Sequence, residues 1–104
     1  MTHAPKHLML KTRQWWSRYA KENNLKEPQL QLLTLAGEAW DRSTQARILL
    51  EEKGLTYEDR FGQPRPRPEV DIEKGAKLLF EKLMRSLPRD DQNLTDWLKN
   101  ARLK

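Results

Sequence analysis

Apolar residues recur every three to four positions along most of the chain, and the rhythm breaks once, in a Pro- and Arg-rich stretch. From Leu8 to Asn23, the residues Leu8, Met9, Thr12, Trp15, Trp16, Tyr19 and Ala20 share one broad helical face. Lys11, Ser17, Arg18 and Lys21 fall on the other side. Asn23 and Asn24 compete for backbone hydrogen bonds, so the first helix is predicted to stop there.

A second, longer helix is predicted between Pro28, suited to a first turn, and Gly54, suited to a C-terminal cap. Gly37 is the only breaker inside it. Leu32, Leu33, Leu35, Ala36, Ala39, Trp40, Ser43, Ala46 and Leu50 cluster on about half its circumference, while Ile48 and Leu49 spill elsewhere. Such a rod is roughly 38 Å long. A compact chain of this size has a radius of gyration of ~13 Å and is about 34 Å across. One short helix does not cover so long an apolar face. The expectation is therefore packing between copies through Leu32, Leu33, Ala36, Trp40 and Leu50, joined by Phe80 of the next helix.

Residues 55–68, LTYEDRFGQPRPRP, read differently. Thr56, Tyr57 and Phe61 suit a brief strand and Gly62 a turn, so a short hairpin is possible here. Pro64, Pro66 and Pro68 push their predecessors toward extended geometry, which keeps the stretch stiff and helix-free. A third helix follows from Pro68 or Glu69 to just before Pro88. Its apolar stripe is Ile72, Ala76, Leu79, Phe80, Leu83, Met84 and Leu87. Acids at its start (Glu69, Asp71, Glu73) and bases at its end (Lys82, Arg85) match the helix dipole. A short fourth helix, Asn93–Ala101, would carry Leu94, Trp97 and Leu98. The expected fold is all-α: a single helical domain over 1–104, with a long central helix packed by shorter ones. Residues 28–88 form its oligomerisation core, and 1–7 and 102–104 are expected to be flexible.

Composition narrows the class. A chain of 104 residues fits one domain, and a single copy buries only about 60–65% of its unfolded surface, so help from a partner subunit is plausible. With no cysteine there is no disulfide framework and no thiolate metal site. No apolar run approaches the ~20 residues of a membrane span, and no signal peptide is evident, so a cytoplasmic location without membrane contact is expected. The net charge of +5 is concentrated at the ends. Residues 1–24 carry Lys6, Lys11, Arg13, Arg18 and Lys21 against Glu22 alone. The last stretch holds Lys99, Arg102 and Lys104. Such ends draw a polyanion.

No catalytic constellation assembles, and no cofactor is expected. His3 and His7 are spaced to hold a metal on a helix but lack a third ligand, and a frayed end is the better reading. The neighbouring pairs Glu51-Glu52, Glu58-Asp59 and Asp90-Asp91 point about 100° apart on a helix and read as solvated surface. There is neither a phosphate loop nor a nucleophile elbow. The basic residues are better candidates. Lys11, Arg18 and Lys21 on one rigid helix suit phosphate contacts, with an ordinary solvated face as the alternative. The tryptophans at helical spacing read as core rather than as base-stacking platforms. Arg60, Arg65 and Arg67 suit either DNA phosphates or acidic residues of another subunit, and Arg60 also suits an anchor within the loop. Lys99, Arg102 and Lys104 suit a mobile basic tail.

Residues 54–70, GLTYEDRFGQPRPRPEV, carry a resemblance. They are similar to a family of phage terminase small subunits, in which a long helix ends in Gly-Leu. A glycine-containing loop with an Arg-Pro-x-Pro element follows, and then an amphipathic helix. The preceding segment, with Trp40-Asp41-Arg42 and Leu49-Leu50-Glu51-Glu52-Lys53, matches that layout, and so does the segment from Ala76 to Arg85. The likeness spans about residues 28–88. It implies a non-catalytic, ring-forming homo-oligomer that binds packaging-site double-stranded DNA. Such a subunit recruits or regulates the large terminase subunit, which holds the ATPase and nuclease. It supplies no DNA-contacting residues, which rest here on charge. A dimeric DNA-binding transcriptional regulator and a helical protein–protein adaptor are the alternatives.

Overall fold

The computed structural model describes residues 3–88. Within them lie α1 (Leu10–Glu22), α2 (Glu27–Lys53), β1 (Thr56–Glu58), β2 (Pro64–Pro66) and α3 (Pro68–Ser86). The expected fourth helix, and Lys99, Arg102 and Lys104 with it, falls outside the described residues.

The chain is mostly helical, and α2 is the unbroken rod expected from its sequence, about 40 Å long for its 27 residues. α1 and α3 both run antiparallel to it. Met9 meets Asp41 while Trp16 meets Thr34, and Trp40 meets Phe80 while Arg47 meets Glu73. The principal extents are 54 × 27 × 21 Å.

Each boundary has a local cause. Asn24 adopts φ 50°, a left-handed conformation that asparagine tolerates. This lets the Leu25 N–H reach the Ala20 carbonyl at 3.1 Å and the Asn24 N–H reach Lys21 at 3.3 Å, a Schellman ending with Leu25 buried beneath it. At the start of α2 the Gln29 side chain accepts the Lys26 N–H at 2.7 Å. Gly54, at φ 85°, donates to the Leu50 carbonyl and turns the chain out of α2. The Pro/Arg-rich stretch is a hairpin, with Thr56 opposite Pro66 and Glu58 opposite Pro64. Prolines fit this strand because one of its edges pairs with nothing. Phe61 is at the hairpin tip rather than in a strand.

The core lies where all three helices meet. Leu8, Trp16, Leu25, Leu33, Ala36, Ala39, Phe80, Met84 and Leu87 form one buried cluster. At its centre the Phe80 ring packs between Trp15 of α1 (centroids 5.8 Å apart) and Trp40 of α2 (5.0 Å). Tyr19 closes the side by donating its hydroxyl to the Pro88 carbonyl at 3.1 Å.

This packing corrects the expected interface between copies. Leu33, Ala36, Leu50 and Phe80 are buried inside the single chain, Leu32 is half-buried, and Trp40 packs at a tilt on Phe80 while staying 39% exposed. Most of the apolar stripe of α2 is covered because α1 and α3 approach it from two sides, while Leu35 and Trp40 stay exposed. The apolar surface left over keeps Trp40 and adds Leu35 and Ile48 of α2 and Ile72, Leu78 and Leu79 of α3.

The segment leading into α1 packs against the rest of the fold. From His3 onward it lies along the fold, with Ala4 half-buried, Leu8 in the core and His7 Nε2 2.7 Å from Glu38 Oε2. His3 and His7 precede the first helix, so they lack the helical spacing that a shared metal would need.

Two contacts dock α1 on α2. The N-cap position of α1, Met9, has no side chain able to cap. The Asp41 carboxylate of α2 does the work instead, accepting from the Met9 N–H at 2.8 Å and from the buried Thr12 hydroxyl. A carboxylate at a helix N-terminus satisfies orphan donors and opposes the positive end of the dipole. One turn earlier, Gly37 leaves room for Leu8 and Thr12. A Cβ there would lie 3.1 Å from Leu8 Cδ1 and 3.2 Å from Thr12 Cγ2.

Replacing Asp41 by alanine strands both donors and is expected to cost about 1–3 kcal/mol in urea unfolding. Gly37→Val overpacks the same junction and should cost roughly 1–3 kcal/mol. Gly75→Val is the control, since nothing lies within 4 Å of its added Cβ. Equal losses at the two glycines would mean that helix propensity, not the close approach, sets the effect.

Candidate nucleic-acid interface

Because α1 turns Thr12 and Trp16 inward, Lys11, Gln14, Ser17, Arg18 and Lys21 all stand exposed. These five occupy about a third of the helix circumference. Among the described residues, no carboxylate comes within ion-pair distance of Lys11, Arg18 or Lys21. On α2 and α3 some cations are neutralised, though Arg42, Lys53, Lys74 and Lys82 have no ion-pair partner among the described residues. Arg47 pairs with Glu51, Lys77 with Glu73 and Arg85 with Glu81, all at i,i+4. The outer face of α1 carries cations without that neutralisation, and the acid of α1, Glu22, is in its last turn. Lys11 and Lys21 are about 15 Å apart along the axis.

The remaining N-terminal cations divide. Lys6 is exposed in the turn before α1, where the Leu8 N–H reaches the Pro5 carbonyl and His7 is tied to Glu38. Arg13 is half-buried, with Nε shielded from solvent and no hydrogen-bond partner. It does not belong to the outer face.

The hairpin arginines have separate roles. Asp59 organises the tip: its Oδ1 accepts the backbone N–H groups of Phe61 (2.8 Å) and Gln63 (2.9 Å). Its Oδ2 accepts the Arg65 guanidinium at 3.0 Å. The Gln63 amide, then Arg65, hold the Asp59 carboxyl below its ordinary range against an opposing effect of burial, with a lesser contribution from the Phe61 amide. Arg67 donates to the Lys53 carbonyl at 3.3 Å, where a cation also meets the negative end of the α2 dipole. Arg60 stacks over the Phe61 ring, 4.9 Å from its centroid. Of the three, Arg65 and Arg67 hold the loop together, and Arg60 does not take the anchoring role the sequence suggested. Arg60 and Phe61 project together from the tip, with Phe61 73% exposed.

The described tryptophans serve packing. Trp16 is buried and donates Nε1 to Thr34 Oγ1 at 3.2 Å, and Trp15 and Trp40 pack on Phe80. Among the described residues there is no cluster of His, Asp and Glu able to hold a metal, and no helix is long and apolar enough to cross a membrane.

Charge-based reading missed three residues. Asp41 left no local signal, because its partners lie about thirty positions away. Asp59 was detectable from the Asp-Arg-Phe-Gly order, a common turn signature. Gln14 was overlooked because it is uncharged. Comparison with known proteins returns nothing: no family model, no curated protein and no solved structure matches the chain.

The lowered Asp59 value gives the hairpin a pH dependence of known sign. A carboxyl depressed on folding contributes order that is present above about 3.8 and lost as pH falls through its lower folded value. Hydrogen exchange at the Phe61 and Gln63 amides should therefore accelerate in acid beyond the intrinsic trend. In Asp59→Asn that acid step should vanish.

Proposed function

We propose that the chain is a non-catalytic DNA-binding subunit of a homo-oligomer, of the terminase small-subunit type. In this role it binds packaging-site double-stranded DNA in the host cytoplasm and recruits or regulates a large subunit that carries the ATPase and nuclease. The observation that carries the DNA half is the outer face of α1, where Lys11, Arg18 and Lys21 line one exposed stripe with no acidic partner among the described residues. Fixed cations on a rigid helix bind phosphates by releasing condensed counterions, a sequence-tolerant contact.

Support for the oligomer comes from apolar surface that one copy leaves uncovered. Leu35, Ile72 and Leu79 stay between 42% and 49% exposed. Ile72 and Leu79 are two turns apart, so they share one side of α3. Leu35 belongs to the α2 apolar face read from the sequence, whereas Ile72 and Leu79 lie on α3. The order of a long helix, a Gly-Leu exit, an Arg-Pro-Arg-Pro hairpin strand and an amphipathic helix supports the terminase assignment.

Two measurements test the reading. Native mass by light scattering should exceed that of a dimer. A dimer binding a palindrome tightly would favour a transcriptional regulator, and a monomer without DNA retention at low salt would favour an adaptor. Separately, DNA affinity should fall steeply with salt. Changing Lys11, Arg18 and Lys21 together to glutamine should reduce the log–log slope by about 2.7 if each meets one phosphate. An unchanged slope would reject α1 as the contact.

A further inference from the structure

We propose that α1 is a major-groove reading helix, in which Gln14 contacts a base edge while Lys11, Arg18 and Lys21 hold the flanking phosphates. The proposal rests on the DNA-binding reading above and adds a specificity to it.

The placement of Gln14 carries the argument. Lys11, Gln14, Arg18 and Lys21 follow a 3–4–3 spacing, which draws a straight stripe along one face of a helix. Gln14 is inside the stripe, with a cation toward each end. The whole face is exposed, and α2 and α3 pack on the opposite side of α1 through Thr12, Trp16 and Trp15. A helix is about 10–12 Å in diameter and the B-form major groove about 12 Å wide. With the helix axis along the groove, Gln14 faces the floor while the long side chains of Lys11, Arg18 and Lys21 extend to the flanking phosphates. Glutamine offers one acceptor and two donors, which match adenine N6 and N7 in a bidentate pair. Leu10, 62% exposed in the first turn, adds an apolar group suited to a thymine methyl.

Other polyanions fit less well. A-form RNA has a deep, narrow major groove that a helix face does not enter. A membrane surface calls for an apolar face, and here α1 turns its aromatic residues inward.

The test starts from selection of a randomised DNA duplex pool by the full chain, followed by affinities for the selected duplex and for variants at each position. Wild type should prefer A·T over other pairs at one position by about 5- to 160-fold. Gln14→Ala should abolish that preference and leave the salt slope unchanged, because no phosphate contact is lost. Lys11→Gln combined with Arg18→Gln should do the reverse, keeping the preference and lowering the slope by about 1.8. Gln14 is exposed, so its variant should keep the wild-type circular dichroism and melting temperature. Three results overturn the proposal: a preference that survives Gln14→Ala, equal affinity for a double-stranded RNA of the same sequence, or stronger binding to anionic vesicles than to the duplex. DNA binding that is intact but blind to Gln14 would sink this inference alone. No DNA binding by the wild type would sink the function reading as well.

Discussion

The junction of α1 with α2 at Gly37 and Asp41 sets everything the N-terminal third of the protein presents to solvent. α1 has no cap of its own and only thirteen residues, too few to be stable alone in water. It persists because a carboxylate from another helix satisfies its first donors and because a missing side chain at Gly37 admits Leu8 and Thr12. These contacts also fix its rotation. With Thr12 and Trp16 committed inward, the stripe from Lys11 to Lys21 must point outward. Stability and display are thus consequences of one docking geometry.

The long helix acts as a spine with two occupied sides. α1 covers the part near Gly37 and Asp41, while α3 runs back along much of its length from the hairpin end. Where all three meet, the Phe80 ring between two tryptophans fills the junction. Farther toward Lys53 no third layer covers the pair of α2 and α3 among the described residues, and Arg47, Glu73 and Lys77 tie it at the surface. Exposed ion pairs contribute little, so the small buried residues Ala46 and Ala76 carry close helix packing there. The chain hides most of its main greasy stripe within itself, yet leaves a secondary one along α3.

Charge in this protein separates into cations that hold structure and cations that do not. Arg65 and Arg67 brace the hairpin, and Arg47 links two helices. Lys11, Arg18 and Lys21 brace nothing among the described residues. Their alignment on one exposed face, rather than the net charge of +5, is what sets α1 apart.

Periodicity and capping chemistry alone determined the three described helices and the place of the break, because these depend on neighbours within a few positions. Pro28, Gly54 and Pro68 marked their boundaries for the same local reason. The hairpin was half legible: proline excluded helix, but the pairing of Thr56 with Pro66 depended on how Asp59 folds the tip. Tertiary structure decided what no window of sequence contains. Burial of Leu33, Ala36, Leu50 and Phe80 followed from two helices closing on one spine, and a residue's apolar character does not say which surface will cover it. The orientation of α1 followed from Asp41, some thirty residues away. Long-range pairing selects among faces that local pattern leaves equivalent.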